Sequence, residues 1–118
     1  MKNQPFHRRL RFAAHGLKVA WCGEASFRLH CVAAAGVLGM LLWRRPAPVW
    51  WALLLLMCAL VLAAELFNSA LERALDRVHP AQHPAIGAAK DCAAAAVLVL
   101  SLAALATFAA FVVETGLL

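Results

Sequence analysis

From Ala47 to Ala64 the chain runs through eighteen residues without one charge. As an α-helix that run is about 27 Å long, close to the hydrocarbon thickness of a bilayer. A second uninterrupted run, Cys92 to Val113, has only Ser101 and Thr107 as mildly polar residues. A third, Leu29 to Trp43, is broken only by His30, and it spans a bilayer only by borrowing Ala25 to Arg28. In lipid every backbone polar group must be paired inside the segment, so such runs are helical. The expectation is an all-α integral membrane protein with membrane helices at about 29–45, 47–78 and 90–114. Hydrophobic residues are 64% of the 118 and charged residues 14%. A soluble globule of this size has too little interior to hide that surface, so 1–118 reads as a single membrane domain.

Residues 1–28 differ in kind. Lys2, Arg8, Arg9, Arg11, Lys18 and Arg28 alternate with Phe6, Leu10, Ala13, Ala14, Leu17, Ala20 and Trp21. Apolar residues at helical spacing opposite a basic face describe an amphipathic helix lying in the membrane interface. No apolar core precedes a small-residue cleavage site, so this segment does not read as a secretory signal. Arg44-Arg45-Pro46 breaks the chain between the first two spans. With three crossings, the N-terminal segment and the connection from Arg73 to Lys90 share a side. That side carries nine Lys and Arg residues against two in the Arg44-Arg45 turn. The bias makes it cytoplasmic. The net charge of +5 suits anionic headgroups; no soluble basic domain exists to bind nucleic acid.

Cys22, Cys31, Cys58 and Cys92 form no CxxC pair and read as small hydrophobes. His79 and His83 have metal-ligand spacing on a helix, but Pro80 and Pro84 argue against a regular helix there. No structural metal is expected.

The chemistry must come from six carboxylates: Glu24, Glu65, Glu72, Asp76, Asp91 and Glu114. Glu114 alone lies at the far end of the last span. Glu65 follows directly on the eighteen uncharged residues, and Leu66 and Phe67 come after it. A carboxylate at that depth is costly against lipid and marks a functional interior. Asn68, Glu72 and Asp76 follow at offsets of three, seven and eleven. At about 100° per residue the four side chains fall within roughly 80° of one another. This polar stripe runs toward the cytoplasm. Two carboxylates such as Glu24 and Glu72 suit Mg²⁺, a hard cation held by a few carboxylates plus phosphate and water. Lys90-Asp91 adds an ammonium for phosphate and another acid. No Walker A sequence, kinase glycine loop or G-x-S-x-G elbow is present.

Glu24-Ala-Ser-Phe27-Arg28 resembles the E-x-x-F-R motif of the prokaryotic diacylglycerol kinases. Glu65-Leu-Phe-Asn68-Ser69-Ala70-Leu71-Glu72-Arg-Ala-Leu-Asp76 is similar to that family's E-x-x-N-[ST]-A-[IL]-E-x-x-x-D signature. Ala89-Lys90-Asp91 resembles its A-K-D segment. The resemblance covers about Arg9 to Leu100. It implies a homotrimeric bundle of three-span protomers with active sites between them. It also implies transfer of the γ-phosphoryl of MgATP to a lipid hydroxyl. On this resemblance Glu65 is the catalytic base and Asn68 its polar partner, and Glu24 and Glu72 hold Mg²⁺. Nucleotide contacts fall to Glu24, Glu72, Lys90, Asp91, His83, and Arg9 or Arg8. Phe12 stands where some members have a nucleotide-contacting Tyr. The lipid meets Glu65, Trp21, Phe27 and Arg28.

The acceptor is expected to be diacylglycerol, giving phosphatidic acid. The alternative is undecaprenol, whose kinases Phe27-Arg28-Leu29-His30 and the His83-Pro84 loop also resemble. A small cation or multidrug exporter using Glu65 as its binding carboxylate is the reading from another class. It explains neither Glu24, Lys90 and Asp91 nor the three spans, since such exporters usually have four.

Overall fold

In a computed structural model, residues 3–117 are described. Met1, Lys2 and Leu118 lie outside them, so Lys2 of the basic segment has no structural account. Four helices follow one another: α1 Phe6–Gly23, α2 Ala25–Arg44, α3 Pro48–Val78 and α4 Pro84–Glu114. The last three are long and apolar enough to cross a membrane.

Each boundary has a local cause. Pro5 precedes α1, and its carbonyl accepts the N–H groups of Arg8 and Arg9. That turn needs no donor from the proline. α1 ends at Gly23, and Glu24 is extended, with φ −125° and ψ 108°. Its N–H closes α1 on the Ala20 carbonyl at 2.9 Å, and its own carbonyl opens α2 by accepting from Arg28 at 3.2 Å. One residue is therefore the entire joint between two helices. The basic segment's helix ends here, four residues before the apolar run begins. α2 takes in Ala25 to Arg28, the extension that its short apolar run requires. Arg45 stops α2 in the left-handed region at φ 46°. Pro48 then starts α3 as its first residue, where a missing N–H costs nothing.

α4 begins earlier than the apolar run suggests. His83 caps it, with Nδ1 accepting the N–H of Ala85 at 3.0 Å, and Pro84 is its first residue. The same proline that breaks a helix through 79–83 initiates the next one. At 31 residues each, α3 and α4 are about 46 Å long and exceed the hydrocarbon layer, so one end of each emerges.

The apolar core sits at the end of the bundle away from the α3–α4 connection. Leu41 of α2, Trp50 and Leu54 of α3, and Phe111 of α4 are buried together. Trp50 meets Phe111 edge to face, with ring centroids 5.6 Å apart. Arg44 ties this end shut by donating to the Thr115 carbonyl at 2.6 Å. Elsewhere large apolar side chains such as Leu29, Val32, Leu56, Leu98 and Leu102 point outward. In a chain of this kind that surface is solvated by lipid tails or neighbouring helices.

Candidate active site

The polar centre forms where the α1–α2 elbow crosses the middle of α3. Glu65, Ser69 and Arg73 are spaced by four and form one face of α3. Glu24, Ser26 and His30 come from the elbow and the first turns of α2. Two hydrogen bonds cross between the elements in opposite senses. The Ser26 hydroxyl donates to Glu65 Oε1 at 2.7 Å, and the Ser69 hydroxyl donates to Glu24 Oε1 at 3.0 Å. Each carboxylate is thus met by a serine from the other element.

Glu65 is 6% exposed. His30 Nδ1 lies 2.5 Å from its Oε1, the same oxygen that Ser26 reaches. Around Glu24 the site is wetter. Arg73 donates through Nε to Ser69 Oγ at 3.3 Å, and its Nη2 is 3.6 Å from Glu24 Oε1. The guanidinium fills the space beside Gly23, where an added Cβ would come within 2.7 Å of Nη2. Arg28 donates to the carbonyls of Trp21 at 2.6 Å and Cys22 at 3.5 Å, so it caps the end of α1 and holds the elbow closed. Phe27 is 3% exposed and packs beneath the elbow, while Trp21 is half exposed on α1. Arg9 and Phe12 are exposed on α1, more than two turns before the elbow.

The other sequence-derived residues fall in two further places. His83 and Lys90 line a polar cleft of about 550 Å³ with Asp76, His79 and Gly87. Lys90 is ion-paired there with Asp76 across α3 and α4. Because His83 Nδ1 accepts a hydrogen bond, that nitrogen carries no proton in this arrangement. Asp91 is exposed at the cleft's helix. Asn68 and Glu72 lie on α3 away from the Ser69–Arg73 edge. Asn68 Oδ1 is buried without a partner. It faces small residues of α4, Ala93 and Ala96, across a groove.

Within one chain Glu24 and Glu65 are therefore brought to one place, and among the described residues no hydrogen bond or ion pair links Glu72 to either. Among the described residues no group of three or more His, Cys, Asp or Glu side chains is close enough to hold a metal. Sequence reading passed over Ser26, His30, Ser69 and Arg73. The available signal was spacing: Ser26 lies two residues beyond Glu24, and Ser69 and Arg73 lie at four and eight beyond Glu65.

The prokaryotic diacylglycerol kinase family matches residues 11–112. The diacylglycerol kinase of Escherichia coli K12 is 36% identical over 93 residues, which are 79% of this chain and 76% of that protein. That of Helicobacter pylori 26695 is 36% identical over 90 residues, 76% of this chain and 70% of its own length. That of Synechocystis is 35% identical over 95 residues, 80% of this chain and 54% of its own length. A match of this extent, over three spans whose buried carboxylate is held by the elbow, settles the class: the chain belongs to the prokaryotic diacylglycerol kinase family and is a membrane lipid kinase.

Proposed function

We propose that the chain transfers the γ-phosphoryl group of MgATP to the primary hydroxyl of diacylglycerol. The observation that carries this reading is Glu65, a carboxylate enclosed in a membrane-spanning helix, whose Oε1 accepts from Ser26 and meets His30 Nδ1 in an ion contact. These contacts on Oε1 leave Oε2 to an incoming hydroxyl. A base must lie within hydrogen-bond reach of the proton it takes, and a lipid alcohol at the interface presents its proton at this depth.

Phosphoryl transfer depends chiefly on positioning and charge neutralisation. Lys90 is the cation for the phosphates. Its pair with Asp76 is exposed, and such pairs hold weakly enough for the ammonium to turn to a ligand. The donor chemistry fits Mg²⁺, which takes hard oxygen ligands and keeps water. Glu24 is partly exposed at the elbow and Glu72 half-buried on α3, and these two would hold the ion. When bound, Mg²⁺ supplies neutralising charge to the phosphate oxygens. Arg9 or Arg8, Phe12, His83 and Asp91 complete the nucleotide contacts. Trp21 and Arg28, with Phe27 beneath them, border the lipid.

No hydrogen bond or ion pair joins Glu24 to Glu72 among the described residues, and the working site is shared between protomers of a homotrimer. The unpartnered Asn68 Oδ1 and the small residues opposite it support close approach of a second helix. The basic α1 lies on the cytoplasmic face of the inner membrane.

Undecaprenol is the second reading, favoured by His30 after Phe27-Arg28-Leu29. Both acceptors offer one primary hydroxyl and long apolar chains, so the same Glu65 serves either. The deciding experiment is phosphate transfer by the purified protein from radiolabelled ATP to a panel of lipid alcohols. A kcat/KM for diacylglycerol above that for undecaprenol is expected; the reverse order gives the site to the polyprenol. No transfer to any lipid alcohol would overturn both.

A further inference from the structure

Glu65 has two neighbours on α2, and the proposed reaction so far uses neither. Ser26 and His30 are four residues apart, so both project from one face of α2 toward α3. Both reach the same carboxylate oxygen, Oε1. His30 Nδ1 is buried and has no hydrogen-bond partner; its approach to Oε1 is a close ion contact, not an aligned hydrogen bond. A ring nitrogen 2.5 Å from a carboxylate oxygen, enclosed and otherwise alone, is the nitrogen that bears the proton. The rest of the ring borders an apolar groove of about 510 Å³ among α2, α3 and α4, walled by Ala33, Ala34, Val37, Cys58 and Val61. His30 therefore stands between the carboxylate and the hydrocarbon interior.

We propose that His30 is a positioning residue for the phosphoryl transfer: protonated at Nδ1, it holds Glu65 Oε1 through their close ion contact and so aims Oε2 at the acceptor hydroxyl. This rests on the reading of Glu65 as the base. A glutamate has three rotatable bonds, and a single serine contact leaves the carboxylate free to turn about that contact. A second contact from one turn further along α2 removes that freedom. Placing both contacts on one oxygen keeps the other unencumbered, which a base requires and a purely structural buried carboxylate does not. A small misplacement of a reacting group costs up to about a hundredfold in rate. Loss of the clamp should therefore appear in kcat, with the KM for ATP unchanged.

Three variants and one spectrum test this. His30→Ala removes the donor. His30→Asn keeps an N–H at the position of Nδ1. His30→Leu keeps bulk without a donor. The expected result is a kcat lowered about 10–100-fold in His30→Ala and His30→Leu, and largely restored in His30→Asn. In ¹⁵N-histidine spectra of the whole protein in detergent, His30 should show a protonated Nδ1 whose signal moves in Glu65→Gln. Wild-type kcat in His30→Leu would overturn the proposal. So would an Asn variant that is folded yet as slow as Ala, or a His30 signal indifferent to Glu65→Gln. Full transfer by Glu65→Gln with a shifted His30 signal would instead unseat Glu65 as the base while leaving the clamp in place.

Discussion

Ser26, in the first turn of α2, donates its hydroxyl to Glu65, 39 residues further on and seventeen residues into α3. The contact fixes α2 against α3 at the depth where the span turns from hydrocarbon to polar surroundings. Removing the charge of Glu65 should therefore leave the helices in place. Glu65→Gln still accepts from Ser26 through its amide oxygen, and a neutral amide is cheaper than a carboxylate in the membrane. Transfer should fall by about 10²–10⁴-fold, with an unchanged unfolding temperature in detergent. Substantial turnover by the folded variant would remove Glu65 from the role of base.

Glu24→Ala and Glu72→Ala should each raise the Mg²⁺ concentration needed for half-maximal rate more than they raise the KM for lipid. If the two carboxylates meet across protomers, mixing the two inactive variants should recover part of the activity in mixed trimers. Unchanged Mg²⁺ dependence in both would place the ion elsewhere. An active species with the mass of one chain would defeat the shared site.

Lys90 and Asp76 separate binding from packing. A charge-assisted contact to phosphate is worth about 1.5–3 kcal/mol. Lys90→Ala should accordingly raise the KM for ATP by about tenfold to a hundredfold. Asp76→Asn breaks the same ion pair without removing the cation, and should leave that KM the same or lower. Equal losses in the two variants would mean that the pair holds α3 to α4 and does nothing for nucleotide.

Gly23→Ala tests the elbow. The added methyl must push the Arg73 guanidinium off Glu24. Arg73 is half exposed and can swing into water. An exposed pair of this kind contributes about 1 kcal/mol at most, so stability should barely change. A loss of several kcal/mol by chemical unfolding would show that the elbow needs glycine for its own geometry.

The spans were legible because eighteen uncharged residues admit one reading in lipid, and Glu65 was legible because of its depth. The start of α4 was not, since Pro84 breaks a helix that precedes it and begins one that follows. Ser26, His30, Ser69 and Arg73 escaped notice for a different reason. Their partners are about forty residues away, and the register between helices is set by packing that no local pattern encodes. The helical projection placed Glu65, Asn68, Glu72 and Asp76 in one arc. The elbow's polar contacts reach α3 at Glu65, Ser69 and Arg73, and among the described residues none joins it to Asn68 or Glu72. How the stripe is divided depends on which neighbour covers it.

The joint at Glu24 leaves the molecule no slack. A loop would absorb a change in the angle between α1 and α2 over many bonds, but here one φ and one ψ must take it all. Those two dihedrals also aim the Glu24 side chain. A bilayer that thins or thickens changes the tilt of α2, and an α1 held at the headgroups would not follow it. Membrane thickness and the position of that carboxylate are thereby one mechanical coordinate, and the lipid around the protein becomes a dial on where Glu24 stands.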